Sequence, residues 1–277
     1  MKSKAYAKIN LSLDVNGIDA RGYHTLESVF LPIDFYDVIE IKKSKKKKYS
    51  SNKWFVFFNE KNTIVKAIEY MKNTYHIKDN FNVYLKKVVP TQAGLGGGSS
   101  DGAATIRILN QMYKLNMSKK EIREACSSIG SDVLFTYYNK PAYVKSTGDD
   151  ISFINVKKNY YVLLVKPSFG ISTKKSYDKL DMGTCDHPNI KKLVNALNKG
   201  QDFNKLLGNS LEQPSISIKQ DILKIKKQIL QKGGENALMS GSGSCVFSIS
   251  TNKKKIDELA VSMKKIGYFV RTTKVIK

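Results

Sequence analysis

Cysteine is scarce in this sequence, and long hydrophobic runs are absent. Only three cysteines occur in 277 residues, far apart along the chain, which excludes a disulfide framework and a zinc site built on closely spaced pairs. No apolar stretch approaches the roughly 18 residues that a membrane-spanning helix needs, and no charged-then-apolar leader opens the chain. A first strand predicted from residue 5 leaves no room for an organelle-targeting peptide. We therefore expect a cytoplasmic protein with no membrane attachment.

Arginine is also scarce, although the chain carries a large excess of positive charge. Lys+Arg number 47 against 24 Asp+Glu, a formal net charge of +23, which suits a nucleic-acid partner because clustered positive charge neutralises phosphates. Only four of the basic residues are arginine, the residue that base reading and bidentate phosphate binding favour. The excess is spread along the chain, and its one dense run, 42–48, is interpreted as a solvated loop. We expect no nucleic-acid partner.

Hydrophobic periodicity indicates an α+β protein of two domains, residues 1–150 and 151–277. Residues 5–15 alternate without a break between apolar and polar side chains, which predicts a half-buried strand with Lys8 and Asn10 on its polar face. Further strands are predicted over 27–33, 37–42, 53–58 and 81–89, and helices over 64–75, over 118–128 and from a cap among residues 99–101 to residue 115.

The second half of the chain has a β-α-β-β-α-β order. The predicted elements are a strand over 159–166, a helix over 219–231, strands over 236–239 and 244–250, a helix over 254–266 and a strand over 268–275. This is the order of ferredoxin-like domains, here with residues 171–218 inserted as a loop and helices.

A glycine-rich stretch precedes the helix predicted from residues 99–101. Residues 90–101 read PTQAGLGGGSSD, with four glycines in five positions. Main-chain amides that no side chain covers, together with the positive end of a helix dipole, form an anion site suited to a polyphosphate. A flexible turn is the simpler alternative, but glycines, paired serines and a helix start coincide here. A Walker A loop, a Rossmann fingerprint and the protein-kinase signatures do not fit the sequence.

The pattern Pro-x-x-x-Gly-Leu-Gly-Gly-Gly-Ser-Ser resembles the second motif of the galactose, homoserine, mevalonate and phosphomevalonate (GHMP) kinase superfamily. Four more segments, AKINL at 7–11, GYHTL at 22–26, GSDV at 130–133 and SGSG at 240–243, resemble in order those of its members that act on 4-diphosphocytidyl-2-C-methyl-D-erythritol. The resemblance implies a two-domain GHMP-kinase fold, with an N-terminal ATP-binding and catalytic domain and a C-terminal substrate-binding domain. It also implies transfer of the ATP γ-phosphoryl group to the 2-hydroxyl of that cytidine-linked substrate, in the non-mevalonate (MEP) route to isoprenoid precursors. ATP and Mg²⁺ are the expected cofactors, and a monomer or homodimer is expected.

The resemblance assigns catalysis to Lys8 and Asp132. Asp132 would accept the hydroxyl proton, and Lys8 would be its cationic partner and stabilise developing negative charge. An ion pair that only joins two elements is the alternative. For the substrate, the resemblance points to Asn10, Tyr23, His24, Thr173 and Tyr177, with the cytosine between the two tyrosines.

For the nucleotide, the resemblance places Asn62 and Lys87 near the adenine and ribose. The residues implied around the phosphates are Pro90, Ala93, Gly94, Leu95, Gly96, Gly97, Gly98, Ser99 and Ser100. Asn62 has an alternative interpretation as a helix N-cap. No cluster of metal ligands is evident, and Ser99 or Ser100 are only candidates for Mg²⁺. Gly241 and Gly243 are expected in a turn against the catalytic cleft, with a tight hairpin that binds no ligand as the alternative.

Two positions depart from the family pattern. Gln92 stands where the family usually has a small residue, and Asp19-Ala20-Arg21 reverses an Arg-x-Asp order. Two rival functions remain. Another GHMP kinase would share the glycine loop but lack Gly-Tyr-His, and a basic nucleic-acid-binding protein would have no use for Lys8, Asp132 and the loop together.

Overall fold

A computed structural model describes the whole chain, residues 1–277. It contains two compact units that are interleaved along the sequence. The first unit consists of Met1–Ala7, Phe35–Pro90 and Gly96–Asn139, and the second unit of Lys8–Asp34, Thr91–Leu95 and Lys140–Lys277. The division into functional domains at residue 150 stays a prediction.

The sheet of the first unit is built on the second half of one long strand, β2 (His24–Ser44). β1 (Lys2–Ile18) and β2 pair with each other and run through both units. Residues 38–44 of β2 pair antiparallel with β4 (Asn80–Lys86), and β3 (Lys48–Ser51) pairs parallel with β4. Alternate residues of β4 are buried, beginning with Phe81, so the strand presents one apolar face to the core.

The strand predicted over residues 53–58 is wrong. The only strand in this region is β3, which ends at Ser51. Trp54 and Phe57 are 88% and 68% exposed, so the aromatic side chains that suggested a strand do not form a buried face. Aromatic residues favour strands because they pack on a pleated, half-buried surface, and that surface is missing here.

Four helices belong to the first unit: α1 (Thr63–Thr74), α2 (Gly97–Met112), α3 (Lys119–Ser127) and α4 (Val133–Tyr138). α1 and α3 confirm the helices predicted over 64–75 and 118–128, whereas α4 was not predicted. The predicted cap of α2 among residues 99–101 is wrong. Gly96 is the N-cap, in a left-handed conformation with φ 66° and without a side-chain cap, because glycine makes that turn without steric cost.

The second unit contains the arrangement predicted for residues 151–277. β7 (Tyr161–Lys166), β8 (Leu238–Met239), β9 (Val246–Ser250) and β10 (Phe269–Lys274) form an antiparallel sheet in the order β10-β7-β9-β8. Helices α8 (Asp221–Gln231) and α9 (Lys253–Lys264) bury isoleucines and leucines in one core with β7 and β9. Element order and strand order are those of a ferredoxin-like domain, so the predicted α+β fold class is confirmed.

The insertion and two short strands complete the second unit. Within residues 171–218 the chain forms α5 (Thr173–Asp178), α6 (Ile190–Lys199), a 3₁₀ turn (Asn204–Leu206) and α7 (Glu212–Ile218). β5 (Ala142–Ser146) pairs antiparallel with residues 26–30 of β2, and β6 (Asp150–Phe153) with β5. Neither strand was predicted. No helix is both long and apolar enough to cross a membrane.

Candidate active site

The polar face of β1 is buried rather than exposed to solvent. Lys8 is 4% exposed and Asn10 is 1% exposed. The Lys8 ammonium donates a hydrogen bond to Asn10 Oδ1 at 2.6 Å and lies 4.1 Å from the centre of the Phe30 ring. Asn10 Nδ2 donates to Ser28 Oγ at 3.1 Å. A desolvated cation is therefore held on a rigid strand, where it stabilises negative charge more strongly than an exposed lysine does.

The turn formed by residues 240–244 packs on the start of the glycine loop. Ser240 Oγ donates to the Gly94 carbonyl at 2.9 Å and accepts the Asn10 amide at 3.2 Å. Gly241 and Gly243 have φ values of 54° and 83°, which favour glycine. A Cβ on Gly94 would collide with the Ser240 carbonyl, and a Cβ on Gly241 would lie 3.0 Å from Asn10 Oδ1. The turn thus needs glycine for local geometry, and its role toward a ligand stays a prediction.

Both departures from the family pattern are accommodated locally. Gln92 has φ 50°, and its side chain occupies the space in which Gly170 would carry a Cβ. Asp19 accepts hydrogen bonds from Arg21 Nη2 at 2.7 Å and from the Tyr23 amide at 2.9 Å. The reversed Asp-x-Arg order therefore still gives a charge pair, which organises the turn before Gly-Tyr-His.

Several residues assigned to the substrate lie in the second unit. The His24 and Tyr177 rings stack, with centroids 4.8 Å apart and planes 29° apart, and His24 Nδ1 is buried without a hydrogen-bond partner. Thr173 Oγ1 lies 3.0 Å from Ser242 Oγ, next to the glycines of the turn. Tyr23 is 61% exposed. A stacked aromatic pair with an unused ring nitrogen suits the recognition of a planar base by stacking and by a hydrogen bond to its edge.

Most residues assigned to the nucleotide lie in the first unit, namely Asn62, Lys87, Pro90 and residues 96–100. A Cβ on Gly98 would have no heavy atom closer than 4.0 Å, so an anion could approach the main chain at the start of α2. Ser100 Oγ is buried without a hydrogen-bond partner. Asn62 Oδ1 accepts the Ile64 amide at 2.9 Å as the N-cap of α1, which confirms the alternative interpretation, while its role toward ATP stays a prediction.

Lys87 is the centre of a buried ion triad in the first unit. Its ammonium donates to Asp37 Oδ2 and to Asp101 Oδ2, both at 2.6 Å, and the three side chains are at most 6% exposed. Asp37 Oδ1 also accepts the Val89 amide at 2.8 Å. A Cβ on Gly97 would lie 3.2 Å from the Lys87 ammonium. The triad therefore lies directly beneath the first turn of α2.

Burial sets the protonation of this triad. Burial raises the pKa of Asp101 to about 7, with Lys87 lowering it and Asp37 raising it. Burial also lowers the pKa of Lys87, but the two carboxylates outweigh this effect and raise it above its ordinary value. Sequence reasoning missed Asp37, although the signal was available: Asp37 alternates with Phe35 and Ile39 on the apolar face of β2, where a carboxylate needs a partner.

Asp132 lies at the N-terminal end of α4 and is half-buried. Its carbonyl accepts hydrogen bonds from the Thr136 amide and from Thr136 Oγ1, both at 3.1 Å, and its carboxylate does not cap the helix. No three His, Cys, Asp or Glu side chains are grouped so that they could hold a metal ion. The protein thus offers a carboxylate at a defined backbone position but no metal cage of its own.

Comparison with known proteins identifies the family. Residues 62–140 match the N-terminal domain of GHMP kinases, and residues 187–268 the C-terminal one. A 4-diphosphocytidyl-2-C-methyl-D-erythritol kinase of Clostridium tetani is 39% identical over an alignment of 253 residues that covers 89% of this chain and 90% of that protein. A protein of the same name from Bacillus subtilis is 36% identical over 261 residues, covering 92% and 90%. The chain belongs to the 4-diphosphocytidyl-2-C-methyl-D-erythritol kinase family.

Solved structures agree with this family at the level of the fold. A crystal structure of 4-(cytidine 5'-diphospho)-2C-methyl-D-erythritol kinase superimposes over the full length of both chains with a TM-score of 0.84 at 21% identity. A homoserine kinase from Cytophaga hutchinsonii gives a TM-score of 0.72 at 18% identity over 98% of this chain and 94% of that one. The family resemblance inferred from the motifs is confirmed, and the roles of individual residues stay predictions.

Proposed function

We propose that this chain phosphorylates the 2-hydroxyl of 4-diphosphocytidyl-2-C-methyl-D-erythritol with ATP, giving the 2-phosphate and ADP, in the MEP route. The observation that carries the proposal is the identity of 36–39% with relatives of that name over about nine-tenths of each chain. The chain would act in the cytoplasm as a monomer or homodimer, without a nucleic-acid partner.

The glycine loop and the first turn of α2 bind the ATP phosphates. This role is supported by the open main chain at Gly98 and by the absence of a side-chain cap on α2, because uncapped first-turn amides are donors that a phosphate can satisfy. Ser99 and Ser100 are candidate ligands for Mg²⁺, and the unpartnered buried Ser100 Oγ fits that role. When bound, Mg²⁺ neutralises phosphate charge.

Lys8 and Asp132 perform the proton and charge chemistry. Asp132 accepts the proton of the substrate 2-hydroxyl while the hydroxyl oxygen attacks the γ-phosphorus of ATP. The bond from that phosphorus to the β–γ bridging oxygen breaks, and ADP leaves. Lys8 stabilises the negative charge that develops on the attacking oxygen. The support for Lys8 is its burial and its fixed hydrogen bond to Asn10, because a preorganised cation in a dry environment needs no reorganisation during the reaction.

The cytidine end of the substrate is recognised in the second unit. The stacked His24 and Tyr177 rings and the unpartnered His24 nitrogen support contacts to the cytosine face and edge. Tyr23 would cover the other face, and Asn10 and Thr173 would donate or accept hydrogen bonds along the rest of the molecule.

A substrate panel tests the proposal. The purified protein with ATP should release ADP with the cytidine-linked substrate and not with mevalonate or homoserine. Turnover of either of those two in its place would assign the chain to another GHMP activity. Asp132→Asn should lower kcat by at least about 100-fold while far-UV circular dichroism stays unchanged. Near-normal kcat in that folded variant would reject the role of Asp132.

A further inference from the structure

Arg107 joins three parts of the first unit through main-chain oxygens. It lies on α2, ten residues after Gly97. Its Nη1 donates to the Thr136 carbonyl at 2.8 Å and to the Tyr137 carbonyl at 3.0 Å, and its Nη2 donates to the Lys4 carbonyl on β1 at 2.9 Å. One guanidinium therefore ties the glycine-loop helix, α4 and β1 together.

The carbonyls of Thr136 and Tyr137 lie at the C-terminal end of α4, where a helix has no amide of its own to donate to them. α4 ends at Tyr138, so Thr136 and Tyr137 belong to its last turn, where carbonyls have no later amide of the same helix to accept from. Charge-assisted hydrogen bonds from a guanidinium are stronger than neutral ones, and burial lowers the pKa of Arg107. The guanidinium also lies 5.8 Å from the centre of the Tyr137 ring. Arg107 is thus built into the end of α4.

Asp132 lies at the opposite end of the same short helix. The Thr136 amide and Oγ1 both donate to the Asp132 carbonyl, while the Thr136 carbonyl accepts Arg107. A single residue therefore transmits the position of the guanidinium to the backbone of Asp132. At 1.5 Å rise per residue, six residues span about 9 Å, and a helix this short has little intrinsic stability to hold its own orientation.

We propose that Arg107 is a positioning residue for Asp132: it fixes α4 relative to α2, so that the carboxylate is presented at a set distance from the phosphates bound at the start of α2. The proposal rests on the proposed role of Asp132. A misplacement of about 1 Å in such an arrangement costs about 100-fold in rate, whereas the phosphate-binding main chain of α2 lies about 15 Å from Arg107 along the helix and should not change.

Two substitutions separate the hydrogen bonds of Arg107 from its positive charge. Arg107→Met removes all three hydrogen bonds, and we expect kcat to fall about 30- to 100-fold with the KM for ATP within about 2-fold of the wild type. Arg107→Lys keeps the charge but cannot reach three carbonyls at once, and should recover part of kcat. Lys120→Met, on the exposed surface of α3, is the control for loss of a surface cation and should keep wild-type kcat.

A double-variant cycle distinguishes positioning from mere stabilisation. In the Asp132→Asn background, Arg107→Met should leave the residual single-turnover rate with radiolabelled ATP unchanged, because there is no carboxylate to misplace. A further fall of the same factor would overturn the proposal, as would a raised KM for ATP with unchanged kcat. If Asp132→Asn is inactive and both Arg107 variants, folded by circular dichroism, are fully active, Arg107 loses its role and the proposed function stands. Near-normal turnover of Asp132→Asn would reject the role of Asp132 and with it the role of Arg107, while the proposed kinase activity would stand.

Discussion

The buried triad makes a sharp prediction about Asp101. In the folded protein its pKa is raised from 3.8 to about 7, chiefly by burial. At about 1.36 kcal/mol for each pH unit, the difference is on the order of 4 kcal/mol. A group whose folded pKa lies above its unfolded value stabilises the fold below the unfolded pKa, and this contribution disappears as pH rises through the folded pKa. Ionised Asp101 should thus lower the free energy of unfolding progressively between about pH 4 and pH 7.

Asp101→Asn removes this titration while keeping the shape of the side chain. The free energy of unfolding of the variant minus that of the wild type should therefore be small at pH 4.5 and rise to several kcal/mol by pH 8, where the variant is the more stable protein. Urea unfolding followed by far-UV circular dichroism between pH 4.5 and 8.5 measures the difference, in which the titrations of groups outside the triad cancel. Lys87 and Asp37 then remain as a neutral buried pair.

Lys87→Met is the matched opposite change. It leaves Asp37 and Asp101 as two buried carboxylates without their cation, and breaking a buried ion pair in this way costs about 3–5 kcal/mol. The loss should be largest at pH 8 and smaller at pH 4.5, where Asp101 is protonated. A difference between Asp101→Asn and the wild type that does not vary with pH, or an Asp101→Asn protein that is the less stable one at pH 8, would refute this account of the triad.

Three further predictions follow from the second unit and the glycine loop. Gly94→Ala should lower the free energy of unfolding by at least about 2 kcal/mol, because it adds a Cβ at φ 71° against the Ser240 carbonyl. Gly98→Ala adds a Cβ in open space and should change the free energy of unfolding by less than about 0.5 kcal/mol. Equal losses for the two variants in urea unfolding would contradict this. Hydrogen bonds to the Met182 carbonyl and to Asp14 raise the pKa of His187. The contribution of His187 to the stability of the fold is therefore complete below about pH 6.5 and is lost as pH rises through the folded pKa. The Tm of His187→Ala should differ from that of the wild type more at pH 5.5 than at pH 9, and the opposite order would be evidence against the contact with Asp14. Tyr177→Ala should raise the KM for the cytidine-linked substrate about 10-fold or more and the KM for ATP less than about 2-fold, because it removes a stacking surface; a larger effect on ATP would reject the base site.

Local signals predicted the ferredoxin-like half of the chain well. The six predicted elements between residues 159 and 275 are all present, with boundaries shifted by at most two residues. The two helices among them, α8 and α9, each bury one regular apolar face. Motifs also predicted the glycine loop as the start of a helix, although α2 begins at Gly97 and not at a polar cap.

The failures involve contacts between distant parts of the chain. The strand predicted at 53–58 has no layer to pack on, and β5 is defined by its pairing with β2, more than 100 residues earlier. Buried Asn10 is hydrogen-bonded to Ser28 and Ser240, neither of which the alternation of residues 5–15 could reveal. Local periodicity shows which face of a strand is apolar, but only tertiary structure shows what covers its polar face.

The contact between Ser240 and Gly94 also limits how the glycine loop can be transplanted. The Ser240 hydroxyl binds the Gly94 carbonyl across 146 residues of sequence, and the carbonyl of Ser240 occupies the space of a side chain at position 94. A chimeric kinase that received only residues 90–101 would gain the main-chain amides of the loop but lose the turn at residues 240–244, which holds Gly94 in place. Exchange of glycine loops between GHMP kinases should therefore succeed when residues 240–244 are exchanged in the same step.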